Sequence, residues 1–190
     1  LKEMENDGEY VEIGDKQTAI VNVLPFPIAI HLQKLLCPVE QENEGFDKAS
    51  KNRLEQCALV FQTTVELMVF ILLAQLWELK LQKKIANLPV NLIETIRVYF
   101  YLSFSERISF NYLEFIRIIL RYFDTIPNEK ISYFISELDR LRTLIKESHE
   151  FSRACDFLNS LCRHIAEGQI NDLEIQDMCE TRSEKTGQTR

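Results

Sequence analysis

KASKNRLEQCALVFQTTVELMVFILLAQLWELKLQKKIA, residues 48–86, decides the fold. Leu54, Cys57, Ala58, Phe61, Val65, Met68, Leu72, Leu76 and Leu79 recur at steps of three and four, the period of one helix face. The spacing predicts one long helix from about Lys48 to Ala86, with Ser50 or Asp47 as its cap. Val69, Phe70, Ile71 and Leu73 make its opposite side apolar as well. A helix apolar all round is expected to be enclosed on several sides, as the central helix of a bundle. Its charge-free core, Leu67 to Trp77 between Glu66 and Glu78, is eleven residues long. That is short for a bilayer span and suits a buried core helix.

Outward from this helix, the chain reads as further helices. Upstream, Leu24-Pro25-Phe26-Pro27 interrupts an apolar stretch, and Pro27 suits the first turn of a helix carrying Ile28, Leu32, Leu35 and Leu36. Cys37-Pro38 ends that helix, and Val39 to Asp47 is an acidic loop. Residues 1–18 read as a flexible acidic arm, with a short strand as an alternative over Glu9–Ile13. Downstream, Pro89 opens a helix from Val90 to Phe104 with Leu92, Ile93, Ile96, Tyr99 and Phe100 inward. Ser105 or Ser109 then leads into Tyr112 to Phe123. Glu129 to Lys146 and Phe151 to Ala166 follow, continuous or bent near Ser148. Gly168 suits a helix C-terminal cap, and 169–190 reads as a polar, mostly disordered tail. The expected architecture is all-α, a bundle of about five or six helices over 19–168 around a long central apolar helix.

Composition agrees. Five glycines and five prolines in 190 residues are too few for a turn-rich β protein. The net charge of −7 is concentrated at the ends: residues 1–50 carry −6 and 164–190 carry −3, against +2 for 51–163. A near-neutral body speaks against indiscriminate binding to phosphate backbones. The five cysteines, Cys37, Cys57, Cys155, Cys162 and Cys179, lack paired short spacings, so reduced thiols are expected. An acidic, polar beginning does not resemble a secretory leader, and the expected location is the cytoplasm.

Motifs for chemistry are sparse. Gly-rich phosphate loops, nucleophile elbows and metal-binding histidine pairs are missing from the sequence, and no metal or cofactor is expected. His31 reads as a core-margin histidine and His164 as a favourable charge at a helix end. Arg142 and His149 stand seven residues apart. If one helix carries both, seven residues bring them to one face, about 10 Å apart along the axis. Arginine holds a phosphate through two bonds, and histidine takes a proton from a 2′-hydroxyl at neutral pH.

This Arg-x(6)-His pattern on a late helix resembles the HEPN superfamily of helical bundles from prokaryotic defence and toxin systems. The resemblance implies a metal-independent ribonuclease acting as a homodimer, with Arg142 on phosphate and His149 as acid and base. Thr143 stands where a polar residue, often asparagine, usually follows the arginine, and departs from the asparagine. The Leu24–Pro27 segment before a short and then a long helix also resembles helical modules at the front of multidomain bacterial signalling and defence proteins. That resemblance implies sensing or docking.

Together these signals point to binding rather than catalysis. The expected function is a non-enzymatic interaction and regulatory module of a larger bacterial protein, docking a protein partner or itself. Aromatics interleaved with arginines mark the expected docking surface, Phe104, Arg107, Phe110, Arg117 and Arg121. The ribonuclease and a small-ligand sensor bundle are the alternatives.

Overall fold

The computed structural model describes residues 13–36, 50–85, 87–127, 131 and 133–168. Among them stand eight helices and no strand. These are α1 (Ile13–Val23), α2 (Phe26–Leu36), α3 (Lys51–Leu81), α4 (Val90–Tyr101), α5 (Phe104–Ser109), α6 (Tyr112–Asp124), α7 (Glu137–Glu147) and α8 (His149–Ala166). The chain is all-helical, as its periodicity predicts. Two helices exceed expectation. The first, α1, begins inside the stretch read as an arm, and Ile13 opens it where a strand was the alternative. The second, α5, begins at Phe104, where the helix from Val90 was expected to end, and runs through the stretch read as a connection. The acidic loop of 39–47, the tail of 169–190, Cys37 and Cys179 lie outside the described residues.

The described residues from Thr64 to Ala166 form one compact unit and the others form a second. The division falls inside α3, within the span expected to be a single bundle. In the smaller unit α1 packs on α2, burying Val21 and Ile28. The Pro25 carbonyl starts α2 by accepting from the N–H groups of Ile28 and Ala29, both at 2.9 Å. The Ser50 hydroxyl caps α3 by accepting from the Arg53 N–H at 3.2 Å, as its position predicts. Gln56 donates to the His31 carbonyl at 2.8 Å, which places His31 half-buried at a core margin.

In the larger unit α6 supplies the most regular core face: Tyr112, Leu113, Phe115, Ile116, Ile119, Leu120 and Phe123 are buried, leaving the remaining side to Glu114, Arg117 and Arg121. This helix packs on α4 and α8, and α8 also receives α5 and α7. Full burial of each such apolar side chain contributes about 1.5–3 kcal/mol.

The expected enclosure of α3 is only half met. Val65, Val69, Leu72, Leu76 and Leu79 are buried along one face. Phe70, Trp77 and Leu81 stand exposed on another, and Ile71 and Leu73 lie between. By length and composition α3 is long and apolar enough to cross a membrane, with a window of mean hydropathy 2.1 that is 22% buried. The shorter span read from the sequence ended at Glu66 and Glu78, whereas an averaged window tolerates an isolated charge. Gln75 interrupts the buried face. It is fully buried, and its side-chain oxygen accepts from the backbone N–H of Phe134 at 3.0 Å.

Helix ends follow local chemistry. The last turn of α3 closes with the N–H of Lys84 on the Leu79 carbonyl and that of Lys83 on the Lys80 carbonyl, both at 3.0 Å. Lys83 takes φ +55°, the left-handed conformation that this closure requires and that glycine normally supplies. Gly168 has φ +65° beyond α8, as its position predicts. Ser103 begins α5 with a reciprocal capping box to Glu106, which explains the break after Tyr101. The helix expected from Glu129 starts only at Glu137. Ahead of it, the Phe134 N–H serves Gln75 instead of a helical carbonyl.

Candidate functional site

The arginines expected to form a docking surface are each engaged within the larger unit. Arg107 lies 3.7 Å from the Glu66 carboxylate, and its guanidinium sits 5.9 Å above the ring of Tyr99. Arg117 bonds Asp156 at 2.8 Å and the Ser152 hydroxyl at 3.1 Å, tying α6 to α8. Arg121 pairs with Glu114 on its own helix and donates to the Arg117 carbonyl at 3.2 Å. Phe110 is half-buried in an aromatic cluster, its ring centroid 5.0 Å from Tyr112, 5.7 Å from Tyr99 and 5.9 Å from Phe115. The side chain of Phe104 lies outside the described residues. Beside these rings, Tyr99 and Tyr112 are buried near Glu66. Burial first, and the Glu66 charge second, push both hydroxyls to a raised pKa.

Arg142 and His149 stand on different helices. Ser148, at φ −92° and ψ 101°, ends α7, and His149 is the first residue of α8. The shared-face argument needs an unbroken helix across 142–149, and Ser148 interrupts it. The Ser148 hydroxyl accepts from the Phe151 N–H at 3.3 Å, a cap for the new helix. The Arg142 side chain is 19% exposed and contacts two carboxylates, Asp139 at 3.1 Å and Asp124 at 3.6 Å. Tyr133 lies close by, its pKa raised by burial and opposed by the Arg142 charge. His149 is exposed.

The thiols of Cys57, Cys155 and Cys162 are half-buried. Burial pushes the Cys155 thiol up and the Cys162 thiol to about 11, so both favour the protonated form near neutrality. Among the described residues no group of three or more His, Cys, Asp or Glu could hold a metal ion. A groove of about 320 Å³ lies between the start of α4 and the end of α6, lined by Asn91, Leu92, Ile118, Arg121, Tyr122 and Thr125 among others. It is open and mostly apolar, and Arg121 is already paired with Glu114.

The feature that sequence reading missed is an apolar surface on α3 and α4. On α4, Leu92 and Tyr99 are buried and Ile96 is half-buried, a stripe at steps of four and three. Phe100 and Ile93, both expected inward, are exposed. Each sits one residue, or about 100° of rotation, beyond the buried stripe. Val90, Val98 and Tyr101 are exposed with them. Phe70 of α3 adjoins this surface. Its ring meets Tyr99 edge-on at 5.9 Å, and Tyr99 meets Phe100 at 5.4 Å.

No known protein-family model matches the chain, nor does any curated protein or solved structure.

Proposed function

We propose that this chain is a non-enzymatic interaction module that docks through the exposed apolar side of α3 and α4. The observation that carries this reading is the exposure of Phe70, Trp77, Leu81, Val98, Phe100 and Tyr101 on two neighbouring helices. Bulky apolar groups gathered in this way mark a binding surface, because burying them against a partner recovers transfer free energy lost to water. Several of the groups suited to catalysis are otherwise engaged. Arg107, Arg117, Arg121 and Arg142 each contact a carboxylate, and Cys155 and Cys162 favour the thiol form.

The test places a photo-crosslinking residue at position 77 or 100, and at the exposed polar position 140 as a control, in cells that make the protein. Discrete products identified by mass spectrometry at 77 and 100, and missing at 140, are the expected result. Equal, diffuse labelling at all three positions would overturn the reading. So would cleavage of single-stranded RNA that disappears in His149→Ala.

A further inference from the structure

Two exposed stripes run along α3 and α4. On α3, Phe70, Ala74, Trp77 and Leu81 follow at steps of four, three and four, and all are exposed. On α4, Val90, Ile93, Arg97 and Phe100 follow at steps of three, four and three, and all are exposed as well. Such steps keep each stripe on one face of its helix. Phe70 and Phe100 both lean on the Tyr99 ring, with centroids 5.9 Å and 5.4 Å away, so the two stripes border each other. The other side of α3 is occupied: Val69, Leu72 and Leu76 are buried, and Gln75 holds the Phe134 N–H.

Charge sets this side of the molecule apart. Residues 79–93, which join α3 to α4, contain Lys80, Lys83 and Lys84 and no acid. With Arg97 added, residues 67–101 carry four cations against Glu78 and Glu94, a net of +2. The rest of the chain then carries −9, since the whole is −7. Glu78 is also engaged by the Gln82 amide. Among the described residues neither Lys83 nor Lys84 meets a carboxylate, unlike Arg107, Arg117, Arg121 and Arg142.

We propose that this side rests on an anionic phospholipid surface, with α3 and α4 lying along it rather than through it. The proposal rests on the docking reading above and names its partner. Helices with tryptophan, phenylalanine and leucine on one face and lysines beside them settle at the boundary between headgroups and acyl chains. Trp77 and Tyr101, 67% and 83% exposed, suit that boundary, because each ring is apolar and carries a polar tip. Lysine places its methylenes against the apolar layer and its ammonium among the phosphates. Burial against another protein accounts for the lysines less well, since protein interfaces are depleted in them. Although α3 is long and apolar enough to cross a bilayer, crossing would break the buried contacts of Val69, Leu72, Gln75 and Leu76.

Trp77 is the chain's single tryptophan, so its emission reports on this face directly. The experiment mixes the full chain with vesicles of phosphatidylcholine alone, or of phosphatidylcholine and phosphatidylserine at two to one. It follows Trp77 emission and co-sedimentation, and circular dichroism checks that each variant is folded. Wild type is expected to sediment with the anionic vesicles and shift its emission to the blue, and to do neither with phosphatidylcholine alone. Raising the salt from about 0.1 M to about 1 M shortens the screening length from about 10 Å to about 3 Å and should release it. A lysine near an anionic surface contributes about a five-fold gain in partition, so Lys83→Gln with Lys84→Gln is expected to weaken binding roughly thirty-fold. Leu81→Gln removes an exposed apolar group and is expected to weaken it about ten-fold. Arg140→Gln with Arg153→Gln removes as much charge from exposed positions outside this side and is expected to change nothing. Vesicle binding indifferent to both the lysine pair and Leu81 would place the contact elsewhere and overturn the proposal. So would equal binding to both vesicle types. No vesicle binding, with a position-77 crosslinker that captures a protein, would overturn the proposal and leave the docking reading intact. A blue shift that grows with protein concentration in the absence of vesicles would do the same and assign the face to a second copy.

Discussion

Replacing Gln75 by leucine tests whether a hydrogen bond or simple packing holds the larger unit closed. Gln75 is fully buried in the apolar face of α3, and its side-chain oxygen accepts the Phe134 N–H across 59 positions of sequence. Leucine keeps nearly the same volume and suits a dry interior better, so a packing-only account predicts an equal or higher stability. The hydrogen-bond account predicts the reverse. Removing the acceptor strands a backbone donor at a cost of about 1–3 kcal/mol. Taking the middle of that range, the melting temperature should fall by roughly 4–8 °C for a chain of this size. Gln75→Ala removes the acceptor and also opens a cavity, adding about 2 kcal/mol. Urea titration followed by circular dichroism separates the two. A Gln75→Leu midpoint at or above wild type would refute the reasoning, and a Gln75→Ala loss equal to that of Gln75→Leu would show that the site collapses without a cavity.

Two further outcomes follow from helix ends and buried phenols. Lys83→Gly relieves an L-residue of the left-handed conformation and should stabilise the chain by about 0.5–1 kcal/mol, read as a higher urea midpoint. Tyr99, Tyr112, Tyr122 and Tyr133 all have pKa values raised above the ordinary 10.0, chiefly by burial. A raised folded-state pKa contributes stability that is present below the unfolded value and is lost as pH rises through the folded one. Stability should therefore decline above about pH 10. Tyrosinate absorbance from these groups should grow in step with the loss of helix signal.

The sequence made the helices legible wherever one apolar face repeats over several turns. The buried positions Val65, Leu72, Leu76 and Leu79 lie where periodicity put them, and α6 covers the stretch expected from Tyr112 to Phe123. Periodicity alone could not rank two apolar sides of one helix. It therefore placed Phe70 inside α3 and Phe100 inside α4, although both are exposed. The capping box was readable as Ser103-Phe104-Ser105-Glu106, but the apolar pattern ran across it and hid the break. The left-handed turn at Lys83 carries no glycine to announce it. Charge pairing was the least legible level. Arg117 and Asp156 are 39 positions apart, and only the packing of α6 on α8 brings them together. A seven-residue spacing was likewise silent about Ser148, whose extended backbone divides Arg142 from His149.

Asp124 closes α6 with a negative charge at the negative end of the helix dipole, an arrangement that by itself disfavours the last turn. Arg142 at 3.6 Å and Lys146 at 3.7 Å reverse that penalty, and both come from α7. The final turn of α6 thus borrows its electrostatic stability from a segment that follows it in the chain. If α7 opens, the end of α6 is expected to fray with it. Backbone amides in these two segments are then expected to exchange with solvent as one cooperative group, which hydrogen-exchange measurements would check.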